Sequence, residues 1–361
     1  MPTSTQPQLE SLTISDGVSY SYIDSGEVPG NTYTTLVFVH GMGFNGGVFR
    51  KLVPLAAVRN LRIVSLYRRD YNPTTSFRDA DLASLTSGTA EGQEDFLRSH
   101  AVEIATFLVT FAREQRIPPA PLEGASGPGG IALIGWSLGS LHTHAVVAYL
   151  DAMPSSILSD LGKYLHTMVS HDVGAVFIGI PNPPIYNIDL WYEPDFKTRF
   201  KLFYEWATAY YSHKNVTSGN IDDLEFNKFA DQTHSMHELS SEELAELTSA
   251  ETYGASDTLL LYIQLDVFEA MTRRAIFNKA LAEKFLPNLR VRYMCGGASP
   301  GVLVWALHEL RKCLADPKLN YGPDAEKARD VKFNFQAAGN HFVFWDEPEL
   351  ALDQYIATIN L

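Results

Sequence analysis

A chain of 361 residues, 45% of them apolar, is long enough for one large α/β core carrying an inserted segment, and its apolar content is that of an ordinary globular protein. Its 42 acidic residues outnumber 28 basic ones, for a formal net charge of −14. This argues against nucleic acid or an anionic membrane as partner, because both require basic surface. No apolar run is long enough to span a bilayer, and the polar stretch Met1–Glu10 lacks the apolar region of a signal peptide. Cys295 and Cys313 are expected to be buried, reduced thiols. These readings make a cytoplasmic location the default expectation.

Residues 1–10 read as disordered. Ser11–Asp24 alternates apolar and polar residues, as a hairpin turning at Asp16-Gly17 would. Leu36–Val39 is a predicted strand running into His40-Gly41-Met42-Gly43. A helix is expected over Phe49–Ala57 despite Pro54, then a strand over Arg62–Leu66 that ends in Tyr67-Arg68-Arg69, read as a salt-bridged surface cluster. Apolar residues at Ala101, Ile104, Ala105, Leu108 and Phe111 put an amphipathic helix over Phe96–Gln115. After a Pro- and Gly-rich loop (118–130), Ile131–Trp136 is a strand and Leu138–Leu150 a helix. Gly174–Ile180 is the next predicted strand. Residues 183–286 then change character: Trp191, Tyr192, Phe196, Phe200, Phe203, Tyr204 and Trp206 recur on a helical rhythm, and Ser240–Ala250 and Asp257–Ala282 also read as helical. Strands resume at Val291–Cys295 and Val331–Phe335. The final helix carries Pro348 in its first turn, with Asp346 as its expected cap.

Chemistry is concentrated at Gly135-Trp136-Ser137-Leu138-Gly139. The order strand, G-x-S-x-G, helix is that of a nucleophile elbow, a tight turn that lifts one serine hydroxyl off the end of a sheet. Side chains at Gly135 or Gly139 would crowd such a turn. The helix start behind Ser137 also presents backbone N–H groups where an oxyanion would form. The Gly-rich loop after Val39 can supply a second donor, so the expected oxyanion pair is the N–H of Met42 and that of Leu138. Near the C-terminus, Gly339-Asn340-His341 follows a strand, as a catalytic histidine would. With these three motifs in order, the chain resembles the α/β-hydrolase superfamily over about 36–182 and 287–350. The resemblance implies a mostly parallel central sheet (residues 1–182 and 287–361) with an inserted helical cap at 183–286. It also implies Ser137 as nucleophile and His341 as base.

The third member is the difficulty. Relatives of this kind carry an acid at G-x-x-D after the penultimate strand, where this chain has Gly296-Gly297-Ala298-Ser299. They often show Asp-Pro-Pro after the strand following the elbow helix, where Asn182-Pro183-Pro184 stands. Three accounts compete: Asn182 orients His341 through its amide oxygen, Asp189 swings in as the acid, or the site does no hydrolysis.

Other residues have quieter readings. His40 is expected to shape the oxyanion loop, His142 and His144 to pack the elbow helix, and Trp136 to lie beneath the elbow. His234 and His237 form an isolated H-x-x-H with no third ligand. Phe44, Trp191, Tyr192 and Trp305 are candidate pocket-lining residues. The expected chemistry is hydrolysis of a small or medium hydrophobic ester or lactone through an acyl-serine. The alternatives are a non-hydrolytic lyase or cyclase, or a silent ligand-binding protein. No cofactor or metal is implied. A small-molecule substrate is the only partner expected, with monomer and homodimer both open.

Overall fold

A computed structural model describes residues 8–14, 17–121, 127–186 and 188–361, apart from the side chains of Asp189 and Trp191. The disorder expected for most of 1–10 and the hairpin tip at Asp16 fall outside the described residues. Among the described residues, eight strands form one sheet in the order β1-β2-β4-β3-β5-β6-β7-β8. They are β1 (Leu9–Thr13), β2 (Ser19–Asp24), β3 (Thr34–Val39), β4 (Leu61–Leu66), β5 (Ile131–Trp136), β6 (Leu165–His171), β7 (Arg290–Cys295) and β8 (Asp330–Phe335). β1–β2 and β2–β4 pair antiparallel; the remaining pairs are parallel. The central strands are unbroken apolar runs, Leu36–Val39 and Ile131–Ile134, all fully buried, because parallel strands are covered on both faces. The helix Ala90–Glu114 packs on the elbow helix Gly139–Ala148, and the C-terminal helix Pro348–Ile359 lies on β6 and β7. Parallel pairing brings the C-terminal ends of β3, β5, β6 and β7 to one edge, where loops can assemble a site.

Several expectations are corrected. Phe49–Ala57 is a series of 3₁₀ turns rather than a helix. Gly174–Ile180 is not a strand: Ala175–Ile178 is a 3₁₀ turn, stopped by Gly179 at φ +74°. The strand lies earlier, at Leu165–His171. Arg68 and Arg69 are buried, not a surface cluster. Asp346 does not cap the last helix; it accepts from Tyr210 (2.7 Å) and Ser235. Cys295 and Cys313 are free and buried.

Among the described residues, the β6–β7 connection contains no strand. It includes helices Phe196–Thr208 and Leu265–Thr272, and π-helical turns at Tyr253–Asp257 and Arg273–Phe277. Asp195 caps the first of these helices by accepting from Thr198 N–H at 2.8 Å. That helix lays Phe203 and Tyr204 on Phe44, with centroids 6.4 and 6.1 Å apart. The long connection therefore sits directly over the loop after β3. Among the described residues no helix is long and apolar enough to cross a membrane.

Candidate active site

Ser137 sits at φ +54°, a left-handed conformation that costs an L-residue about 1–2 kcal/mol. The turn is held because its N–H donates to His171 O at 2.9 Å and its C=O accepts from Ser140 N–H at 3.0 Å. Neither flanking glycine has room for a side chain. A Cβ on Gly139 would lie 2.0 Å from Val39 O, and one on Gly135 would lie 2.5 Å from Ser140 Cα. Ser137 remains partly exposed at this crowded point.

His341 follows β8, on the loop fixed by Asn340. Asn340 Nδ2 donates to Ser235 Oγ (2.8 Å) and Thr208 O (3.2 Å), and its Oδ1 accepts from Phe342 N–H (3.0 Å). Trp136 packs beside the imidazole, centroids 4.7 Å apart, and its Nε1–H donates to His341 O at 2.9 Å. The residue next to the elbow serine thus anchors the histidine's own backbone.

The carboxylate beside His341 is Asp172. It is fully buried, one residue past the end of β6, and also left-handed at φ +53°. His341 Nδ1 lies 2.9 Å from Asp172 Oδ2, so Nδ1–H donates to the carboxylate and Nε2 is left as an acceptor. Two further donors complete the acid's shell: Ser299 Oγ at 2.6 Å to Oδ2, and Gly296 N–H at 3.1 Å to Oδ1. Burial would raise this carboxyl, but neighbouring His171, with the bonds from His341 and Ser299, holds it below the usual carboxylate range. His171 itself is pushed down to about 4 by burial, against the opposing pull of Asp172.

Asp172 corrects the reading that no acid stands at His341. Asn182 is exposed, and a different residue occupies the place assigned to it. Asp189 begins a 3₁₀ turn, Asp189–Tyr192, but its side chain is outside the described residues, as is that of Trp191. Tyr192 is 74% exposed. Trp305 is half-buried on the Gly301–Ala315 helix. Phe44 is fully buried, wedged between Trp136 and Phe342 at 5.9 and 4.9 Å, and supports the site from behind. The rings that stand beside His341 are Trp136, Trp206 (6.5 Å) and Phe342 (5.8 Å). Trp206 was not singled out by the sequence reading as a neighbour of the site.

The loop after β3 meets the elbow at Gly41, where a Cβ would lie 2.9 Å from Ser137 Cβ and 3.1 Å from the Trp136 ring. His40 shapes this loop from within: Nδ1–H donates to Gly41 O and Nε2 accepts from Arg68 N–H, both at 3.0 Å. Burial, with Arg68 nearby, keeps His40 well below the usual histidine range and therefore neutral. His144 on the elbow helix bonds Ser140 O and Tyr293 OH, each at 2.7 Å. The Gly43 N–H is occupied by Asp257 at 2.8 Å. Among the described residues the N–H groups of Met42 and Leu138 have no hydrogen-bond partner.

No family model matches the chain, and no curated protein does. Solved structures do. An epoxide hydrolase from Vigna radiata superposes with a TM-score of 0.51 at 12% identity, over 99% of this chain and 100% of that one. A membrane phospholipase A described as a bacterial virulence factor gives 0.51 at 13%, over 98% and 86%. A thioesterase domain from the curacin biosynthetic pathway gives 0.49 at 14%, over 98% and 99%. At such identities the first two likenesses show the fold alone, and it is the one the sequence resemblance implied. The chemistry must be argued from this chain's own residues.

Proposed function

We propose that this chain, which has the α/β-hydrolase fold, is a serine hydrolase acting on a small or medium, uncharged, hydrophobic ester or lactone. The observation that carries the reading is the 2.9 Å contact of His341 Nδ1 with buried Asp172, at the sheet edge where Ser137 is held at φ +54°. In this reading His341 Nε2 takes the Ser137 proton as the hydroxyl attacks the acyl carbon. Asp172 keeps the imidazole in the tautomer that leaves Nε2 free and stabilises the imidazolium that forms. The Met42 and Leu138 N–H groups receive the developing oxyanion, His341 returns the proton to the leaving alkoxide, and water repeats the sequence on the acyl-enzyme. Residues 183–286 act as the lid. Trp206 and Phe342 beside His341 favour an apolar acyl or alkyl group over a charged one. The lyase or cyclase reading rested on an absent acid, and Asp172 removes that ground.

The test is turnover of p-nitrophenyl esters from acetate to octanoate, with acid-quenched intact-mass spectrometry. Wild type should release nitrophenolate and carry an acyl adduct that maps to Ser137. Full turnover by Ser137→Ala, or none by wild type on any ester, would overturn the reading.

A further inference from the structure

One place where the lid segment reaches into the core is the oxyanion loop. Asp257, fully buried, closes the π-helical turn Tyr253–Asp257, where the chain kinks at Ala255. Its Oδ2 accepts from Gly43 N–H at 2.8 Å and from the Tyr71 hydroxyl. Its Oδ1 accepts from Arg68 Nη2 at 2.8 Å, and the same Arg68 nitrogen donates to Gly41 O at 3.0 Å. Arg68 Nη1 lies 3.3 Å from His142 Nε2 on the elbow helix. All four side chains are buried. The lid adds two backbone bonds to the same stretch: Ser249 N–H donates to Gly43 O and Asn45 N–H to Leu247 O, each at 2.9 Å. The polar groups on either side of Met42 are therefore fixed, Gly41 O by core residues and Gly43 N–H and C=O by lid residues.

We propose that Asp257, with Arg68 and Tyr71, is a positioning group that sets the oxyanion hole: it locks the Gly41–Gly43 loop so that Met42 N–H stays aimed at Ser137, and makes the hole complete only when the lid is seated. This rests on the serine-hydrolase reading. Burying an Arg–Asp pair is poor value for stability alone, because the desolvation cost offsets much of the attraction. Its geometry instead matches a demand for precise placement. Burial tends to lower the Arg68 guanidinium, and Asp257 beside it more than compensates; burial, then Asp257, raises the Tyr71 phenol, which stays a donor. Asp257 touches no reacting atom and acts only through the loop.

The test compares Asp257→Asn and Tyr71→Phe with wild type on p-nitrophenyl butyrate, normalised to active sites titrated with a fluorophosphonate. Removing one oxyanion donor costs about 10²–10³-fold, so misaiming one should cost less. Asp257→Asn should lower kcat about 10- to 100-fold with KM within about twofold, and weaken a trifluoromethyl ketone inhibitor by the same factor, while the acid limb of the pH–rate profile stays in place. Tyr71→Phe should move in the same direction by several-fold, and it decides the matter if Asp257→Asn does not fold. Unchanged kcat per titrated site in a folded variant, or a loss confined to KM, would overturn the proposal. Failure of the hydrolase reading is a separate result, seen as an inert wild type.

Discussion

Ser299 donates its hydroxyl to Asp172 at 2.6 Å. The residue standing where relatives place their acid after β7 thus holds the carboxylate supplied from the end of β6. The two positions meet at the ends of neighbouring parallel strands, β6 and β7. If Asp172 orients His341 as proposed, Asp172→Asn should lower kcat by about 10⁴-fold, as the same change does in a trypsin-type triad. Placing the acid on the other strand, Asp172→Asn with Ser299→Asp, should recover at least tenfold of that loss. Steady-state kinetics on a p-nitrophenyl ester checks both. A double variant no better than the single one would mean that Ser299 lies outside the reach of His341.

The Trp136 indole bonds the carbonyl of His341 while its ring packs on the imidazole. Trp136→Phe removes the donor and leaves a buried carbonyl unpaired, at a cost of about 1–3 kcal/mol in stability. Because that carbonyl belongs to the residue proposed as the base, kcat should fall several-fold with little change in KM. Thermal denaturation and kinetics on the same samples separate the two effects.

Acid should destabilise the fold through buried histidines. Burial pushes His144 and His171 down to about 4. An exposed histidine in the unfolded chain titrates near 6.5. Between these values the unfolded chain binds protons that the native one refuses, so stability falls as pH drops from about 6.5 towards 4. By pH 5 each residue should cost about 2 kcal/mol. His144→Gln removes one of these sites without touching Ser137, His341 or Asp172. Its urea midpoint should therefore fall less than that of wild type between pH 7 and pH 5. Parallel slopes for the two proteins would assign the acid sensitivity to other groups.

Trp206 comes from the helix Phe196–Thr208 to within 6.5 Å of the His341 ring, and its indole nitrogen is buried without a partner among the described residues. Trp206→Ala should enlarge the acyl site. The preferred p-nitrophenyl ester should shift to a longer chain, with kcat/KM for the butyrate reduced at least tenfold. An unchanged chain-length profile would place the acyl group elsewhere.

Much of this was legible in the residues. The strand–Gly135-x-Ser137-x-Gly139–helix order, the loop after β3 and the late His341 fixed the sheet edge that matters. Asp172 was not legible, for a physical reason. Leu165–His171 mixes polar residues into a strand because their partners lie elsewhere in the chain: His171 Nδ1 meets Tyr355 OH at 2.8 Å, and Ser170 Oγ meets His144 Nδ1 at 3.3 Å. The apolar run Gly174–Ile180 resembled a strand, yet its buried Ala175, Phe177 and Ile178 serve a 3₁₀ turn packed on the helices Leu265–Thr272 and Gly301–Ala315. Moving the strand nine residues earlier places Asp172 immediately after it. Asp257 was equally hidden, since only tertiary structure brings it 214 residues back to Gly43.

The most direct measurement is intact-mass spectrometry after a small fluorophosphonate, on wild type, Ser137→Ala and Asp172→Asn at matched times. A serine activated through His341 and Asp172 predicts one adduct on wild type, none on Ser137→Ala, and labelling of Asp172→Asn at least a hundredfold slower. No adduct on wild type, or equal labelling rates for wild type and Asp172→Asn, would contradict the account.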